Sequence, residues 1–330
     1  MGELGRMKKV VVTGSKGQLV SDLITELSFG ENCDYEIFAF TKEELDVTDV
    51  ENVSYVFDDL NPDVWVQGAS YHVVEEINNN PGLAAEINVA SLHTISSLCN
   101  EYDTTLINFS TNYVFDGHQM PAEGFRALEH YNENDTPNPV NLYGILKYAG
   151  ERIVATTCER YYNIRVSGLF SEQGSRAKDG RCFPSIILNE LDKFGRVDVV
   201  SDQVVNLTYT PTAAKWIEKM IRKESDKVYG LYHLSNKGDV TWLEAAQELA
   251  SLIGEFENVY PIDSDEFYTN LQRPLWAPLN STKLEDTFQD DREDTIPYLR
   301  EDLEKYLKQI GRIPNEDKQL YYEKKRWMDA

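Results

Sequence analysis

Apolar positions along the first half of the chain alternate between two rhythms. "KKVVVTG" (8–14) is a short β-branched run that ends on glycine, and "GQLVSDLITELSFG" after it carries apolar residues at helical spacing up to Gly30. "YEIFAF" reads as a second strand, "DVENVSYVFDDLNPD" as a helix ended near Pro62, and "VWVQGAS" as a buried strand. "PGLAAEINVASLHTISSLCNEYD" predicts one long helix with proline near its start, and "TTLINFS" a strand after it. Strands separated by helices of this length require right-handed crossovers and therefore a parallel sheet. The predicted fold class is α/β, a Rossmann-type doubly wound parallel sheet.

From about residue 166 the alternation loosens. "SRAKDGRCF" reads as a loop, "FPSIILNELDKF" as a helix and "VDVV" as a short strand, and two helical stretches follow, "TPTAAKWIEKMIRK" and "TWLEAAQELASLIG". The expected organisation is a dinucleotide-binding domain over residues 1–165, with returns to the sheet around 197–235. A smaller interleaved substrate-binding lobe is expected over 166–310, and a charged, aromatic tail over 311–330. In such sheets ligands bind beyond the C-terminal ends of the strands, so the loops after "KKVVV", "EIFAF", "VWVQ" and "TLINF" should converge on one crevice.

Composition narrows the partners. The 330 residues are 41% hydrophobic and 27% charged, and no stretch reaches the roughly 18 apolar residues of a membrane span. The first ten residues lack the apolar segment of an export signal. The 56 acidic against 32 basic residues leave a net charge of −24, which repels phosphate backbones and anionic lipid, so neither nucleic acid nor membrane is an expected partner. Cys33, Cys99, Cys158 and Cys182 show no metal-ligand or disulfide spacing. The expectation is a cytoplasmic protein without a metal site, with a homodimer left open.

Candidate chemistry begins in the loop "VVTGSKGQLV" (11–20), where Gly14 and Gly17 lie between a strand and a helix start. Glycines there let backbone N–H groups approach a pyrophosphate, and the helix N-terminus adds a favourable partial charge. No acidic residue directly follows Phe40, where one would grip a ribose 2′-hydroxyl, so NADPH is as acceptable as NADH, and Thr41 and Lys42 could favour its phosphate. "NLYGILKYAGE" places Tyr143 and Lys147 at i and i+4 on one helix face. An ammonium a few ångströms from a phenol favours the phenolate and makes tyrosine a usable acid or base, and lysine can also hold a cofactor ribose. "FSTNYVFDG" ends a strand in the hydroxyls of Ser110 and Thr111, well placed to orient a substrate carbonyl.

These blocks, with "ELDVTD", "NPDVWVQGASYH", "IRVSGLF", "VVSDQVVNLTYTPT", "GLYHLSN" and "RPLWAPLNSTKL", run in an order that resembles the dTDP-4-dehydrorhamnose reductase family of extended short-chain dehydrogenases/reductases over about residues 8–310. The resemblance implies NAD(P)H-dependent reduction of the 4-keto group of a nucleotide-linked deoxysugar. By position it puts Gly17, Gln18 and Leu19 on the pyrophosphate, Thr41 near the adenosine ribose, Asp46 and Val47 along the adenine, and Ala69, Ser70 and Tyr71 beside the inner half of the cofactor. Tyr143 would protonate the keto oxygen, Lys147 would bind the nicotinamide ribose and lower the tyrosine pKa, Thr111 would hydrogen-bond the keto oxygen, and Asn112 would sit against the sugar.

The chain also departs from the family pattern. Val20 replaces a third glycine, Gln67-Gly68 replaces Asn-Ala, and Asn112 replaces an aspartate. Gly168 stands where some members have tryptophan, Ser171 replaces a glycine, Cys182 an asparagine and Leu207 a proline. The third glycine serves helix–strand packing, so Val20 is compatible with cofactor binding. Two other outcomes follow from the same pattern: a sugar-nucleotide epimerase or dehydratase, and a non-catalytic cofactor-binding subunit resembling the regulatory subunit of methionine adenosyltransferase, with the tail as a docking arm.

Overall fold

The structure, a computed structural model, describes residues 6–30, 34–117, 130–175, 179–223, 228–267 and 271–312. Cys33 and all but the first two residues of the 311–330 tail lie outside the described residues. The chain opens with β1 (Lys8–Thr13), α1 (Gln18–Phe29), β2 (Tyr35–Phe40), α2 (Val50–Leu60), β3 (Val64–Gln67), α3 (Val74–Ile77) and α4 (Pro81–Ala85). A π-helical turn (Glu86–Ala90), α5 (Ser91–Glu101), β4 (Thr105–Thr111), a 3-10 turn (Asn112–Val114), α6 (Leu142–Thr157) and β5 (Tyr161–Val166) follow. The remainder is β6 (Leu169–Phe170), α7 (Phe183–Phe194), β7 (Val197–Val200), β8 (Val204–Val205), β9 (Thr208–Tyr209), α8 (Thr210–Arg222), β10 (Gly230–Leu234), β11 (Val240–Thr241) and α9 (Trp242–Ile253). After a 3-10 turn (Phe256–Asn258) come β12 (Val259–Ile262), α10 (Ser264–Phe267), α11 (Thr282–Phe288) and α12 (Leu299–Gln309).

Six strands form one parallel sheet in the order β10-β5-β4-β3-β1-β2. Its strands read as continuous apolar runs because both faces are covered. Val10 and Val12 point into a core shared with α1, α8 and α11, while Val11 between them points into a second core with α2, α5 and α6. The period of two along a strand thus feeds two layers at once. Local signals set the helix ends: Asp49 caps α2 by accepting from Asn52 N, and Asn61 closes it in the left-handed conformation.

Two elements differ from the pattern read along the chain. The long helix predicted from Pro81 is interrupted by the π turn at 86–90, which turns the buried Asn88 inward. Its amide then binds Ser70 and Tyr71, so the extra residue in the turn is stabilised by tertiary contacts that periodicity does not carry. The strand at Val197–Val200 pairs with β12 in the lobe, and Gly230–Leu234 is the later strand that joins the six-stranded sheet. α7, α9, α12 and β7 share the lobe core, and a small cluster of Phe115, Tyr131, Val204, Trp276 and Leu279 joins lobe to sheet.

Candidate active site

Chain order reverses between β1 and β3, the switch point at which a crevice opens in doubly wound sheets. A cleft of about 1250 Å³ lies there and continues to the lobe. Gly14, Gly17, Gln18, Leu19, Thr41, Asp46, Val47, Ala69, Ser70, Thr111, Asn112, Tyr143 and Lys147 all line it. Tyr71 does not: Asn88 holds its backbone N–H and C=O, and the next residue, His72, lines the cleft instead.

The glycine turn is built from close contacts. Gly14 is left-handed (φ +63°), and a Cβ there would stand 2.7 Å from Ala69 N. Gly17 N donates to Gly14 O at 2.7 Å, and α1 begins at the next residue, so its first N–H groups have no intrahelical acceptor. Behind them Val20 packs on Gly68, where a Cβ would lie 2.6 Å from Val20 Cγ1 and 2.5 Å from Thr13 O. Gln67 ties the same layer together. Its Oε1 accepts from Thr13 Oγ1 at 2.9 Å and from Trp65 Nε1 at 3.3 Å, and its Nε2 donates to Ala69 O at 3.0 Å.

At the adenosine end, Thr41 N donates to Glu44, which holds that carboxyl below its usual range. Asp46 is lowered in the same way, first by the N–H of Thr48 and then by its hydroxyl. Lys16, Lys42, Leu45 and Val47 complete the wall. At the lobe end the cleft is lined by Phe183 and Trp242, whose ring centroids are 4.7 Å apart.

Between these ends stands the hydroxyl cluster. Asn141 caps α6 by accepting from Gly144 N at 2.9 Å, which fixes Tyr143 in the first turn and Lys147 one turn on. Burial pushes the Tyr143 phenol up to about 12, against a hydrogen bond with Thr111 that pulls it down. Burial also pulls Lys147 down to about 8, against the raising influence of Glu151. The downward pull on Tyr143 comes from Thr111, whereas the sequence pointed to Lys147: pulled down to about 8, the lysine gives up its proton well before a phenol pushed up to about 12 does.

The Thr111 hydroxyl accepts from Tyr113 N at 3.2 Å and can donate to Asn112 Oδ1 at 3.3 Å. Asn112, only 2% exposed, donates from Nδ2 to Ala277 O at 3.2 Å and so ties the end of β4 to the lobe. Its amide is committed to protein groups on both sides, which the pattern of the sequence does not reveal. Sequence reasoning also missed Asn88, and missed the ion pair of Glu75 with Arg273 that joins α3 to the 273–280 segment. Arg273 also donates to the Tyr113 hydroxyl at 3.3 Å.

Residues 7–311 match the family described as the RmlD substrate binding domain. The chain is 27% identical over 303 residues to the spore coat polysaccharide biosynthesis protein SpsK of Bacillus subtilis, covering 92% of this chain and 98% of the relative. It is also 27% identical over 292 residues to a dTDP-4-dehydrorhamnose reductase of Aggregatibacter actinomycetemcomitans, covering 86% and 94%. Among solved structures, dTDP-4-dehydrorhamnose reductase from Bacillus anthracis in complex with NADP superposes with a TM-score of 0.80 at 29% identity, covering 92% of this chain and 99% of that one.

Proposed function

Because the chain belongs to the RmlD substrate binding domain family, we propose that it is an NAD(P)H-dependent reductase of the 4-keto group of a nucleotide-linked deoxysugar, giving dTDP-L-rhamnose or a related sugar nucleotide. The observation that carries this reading is the cluster of buried Thr111 and Lys147 with half-buried Tyr143, open to the same cleft as the glycine turn.

The residues fit the cofactor. The N–H groups at the start of α1, which lack intrahelical acceptors, suit a pyrophosphate, and Leu45 with Val47 offers an apolar wall to an adenine. Lys16 and Lys42 can pair a 2′-phosphate while Glu44 is turned to Thr41 N, so NADPH and NADH are both accommodated. When bound, the reduced nicotinamide supplies the hydride.

The protein supplies orientation and a proton. Lys147 holds ribose hydroxyls, Thr111 donates to the keto oxygen, and Tyr143, kept neutral by burial, gives its proton to that oxygen as it becomes a hydroxyl. To do so, the Thr111 hydroxyl turns from Asn112 Oδ1 to the substrate. Phe183 and Trp242 offer stacking surface to the far end of the sugar nucleotide. Asn112 has no acidic proton to give, which disfavours a dehydratase. No helix of the described residues is long and apolar enough to cross a membrane, and the buried free thiols Cys99, Cys158 and Cys182 suit a reducing cytoplasm.

The test is NADPH and NADH oxidation with dTDP-4-dehydrorhamnose and its UDP analogue. The wild type should turn over at least one of them, and Tyr143→Phe should lose about 10²–10⁴-fold in kcat while keeping its cofactor Kd. Cofactor binding without oxidation on either sugar would overturn the proposal and leave the regulatory-subunit reading.

A further inference from the structure

We propose that Glu151, locked by Arg165, is a positioning residue of this site that keeps Lys147 an ammonium; the proposal rests on the reductase reading above. Tyr143, Lys147 and Glu151 follow one another at four-residue steps on α6 and therefore share one helix face. Lys147 is 6% exposed and Glu151 4%, so neither charge is stabilised by water. A buried ammonium without a counter-charge gives up its proton.

Arg165 on β5 secures that counter-charge. Its Nε donates to Glu151 Oε1 at 2.9 Å and its Nη2 to Oε2 at 2.7 Å, a bidentate pair 1–4% exposed. Behind it, Arg165 Nη1 lies 3.3 Å from His233 Nε2, while His233 Nδ1 lies 3.0 Å from Tyr131 O. Nδ1–H therefore donates to the carbonyl and Nε2 accepts from the guanidinium, so the imidazole is neutral; burial and Arg165 hold it well below its ordinary range. The guanidinium also lies 5.0 Å from the centroid of the Phe115 ring. The row behind Tyr143 is thus ammonium, carboxylate, guanidinium, neutral imidazole.

Other titratable groups around α6 do not replace the carboxylate. Glu75 and Glu76 on α3, Glu86 on the π turn, and His93 and Glu101 on α5 are exposed. Tyr113 faces Tyr143, Cys99 faces Cys158, Tyr161 and Tyr162 begin β5, and Tyr148 packs toward the Phe115 cluster. Burial pulls Lys147 down to about 8 and Glu151 is the group that raises it, so loss of Glu151 moves the lysine further down.

NADPH binding, followed by fluorescence between pH 6 and pH 10, and kcat/KM over the same range test this in wild type, Glu151→Gln and Glu151→Asp. Wild-type binding should weaken above about pH 8, and Glu151→Gln should weaken from about one pH unit lower while recovering to within about threefold of wild type at pH 6. Glu151→Asp, still anionic, should follow wild type. A merely structural role would lower binding equally at every pH; that result, or identical profiles for Glu151→Gln and wild type, would overturn the proposal. Should the single variant fail to fold, Glu151→Gln/Arg165→Gln replaces the pair with two amides and should show the same displacement, and an unmoved profile there counts against the proposal. Absence of turnover on any keto sugar, with the binding titration intact, would sink the reductase reading and leave this one to be judged by binding alone.

Discussion

Replacing Gly68 by alanine would put a methyl group 2.5 Å from Thr13 O and 2.6 Å from Val20 Cγ1, both well inside contact distance. Overpacking of this kind costs about 1–3 kcal/mol. Val20 is 2% exposed, and Val20→Ala removes two methyl groups at about 0.8 kcal/mol each plus a cavity contribution, about 1.5–2.5 kcal/mol altogether. Independent effects would bring the double variant to a loss of about 2.5–5.5 kcal/mol. The two side chains compete for one space, however, and in Val20→Ala/Gly68→Ala the new methyl enters the volume the valine leaves. The double variant should therefore lose only about 1–3 kcal/mol, since the Thr13 carbonyl contact remains. With about 2 °C per kcal/mol for a chain of this size, its Tm by calorimetry should be no lower than that of Gly68→Ala alone, where additivity puts it about 3–5 °C below. The Gly14 turn rests on the same backbone, with Gly68 C 2.8 Å from its notional Cβ, so NADPH Kd should rise in Gly68→Ala and recover in the double variant. Additive Tm losses would refute the idea that Val20 and Gly68 are one packing unit.

Two further variants probe charge and hydrogen bonding. Lys147→Met should abolish turnover yet stabilise the fold: the lysine value falls from 10.5 unfolded to about 8 folded, so its burial destabilises fully below about pH 8 and the cost fades between about pH 8 and 10.5 as the native ammonium gives up its proton. The gain at pH 7 should be about 2–4 kcal/mol, read as a Tm increase that disappears near pH 10.5; no gain at pH 7, or one independent of pH, would contradict it. Asn112→Asp sets a carboxylate against Ala277 O, 3.2 Å from the present Nδ2, and should cost about 1–3 kcal/mol at pH 7. That carboxyl would be raised in the fold, so the loss should vanish in thermal melts near pH 4, where its O–H can donate to the carbonyl; a variant as stable as wild type at pH 7 would show that Asn112 is not the tether.

The sheet was legible because its strands are buried on both faces and carry unbroken β-branched runs, and Tyr143 with Lys147 was legible because helical period alone puts i and i+4 on one face. What stayed hidden depends on distance along the chain. Asn112 is bound by a carbonyl 165 residues away, and Glu151 by an arginine on the following strand. The π turn that brings Asn88 onto Ser70 and Tyr71 is held by tertiary hydrogen bonds, and no pattern of apolar residues signals it. Tyr71 was expected beside the cofactor but does not line the cleft, because an irregular loop has no period from which to read which side chain points inward. The environment of Tyr143 was misjudged for a related reason: spacing puts the lysine near the tyrosine but carries no information on how far burial lowers the pH at which the lysine gives up its proton.

The departures from the family pattern, scattered along the sequence, come together in space. Val20 fills the space beside Gly68, and Leu207 lies 2.9 Å from where a Cβ on Gly168 would stand, with Trp242 3.4 Å from the same point. Ser171 receives Gln18 Nε2 at 3.3 Å, and its carbonyl oxygen accepts from Cys182 Sγ at 3.4 Å. A larger residue is thus met by a smaller one, and added polar atoms are bonded, so packing is redistributed and not lost. Compensation of this kind keeps a fold intact whether or not it catalyses. Lys147 is different, because burying its charge weakens the fold, and a buried carboxylate with its own guanidinium is arranged around it. Stability alone would be better served by an apolar side chain at that position. Holding a ribose uses the Lys147 ammonium alone, whereas the neutral Tyr143 phenol and the Thr111 hydroxyl set beside it are what proton delivery to a carbonyl oxygen adds. The retained cost lies at Lys147 and not in the repacked layers, and the Tyr143 phenol and Thr111 hydroxyl grouped with it favour a working reductase over a cofactor-binding subunit.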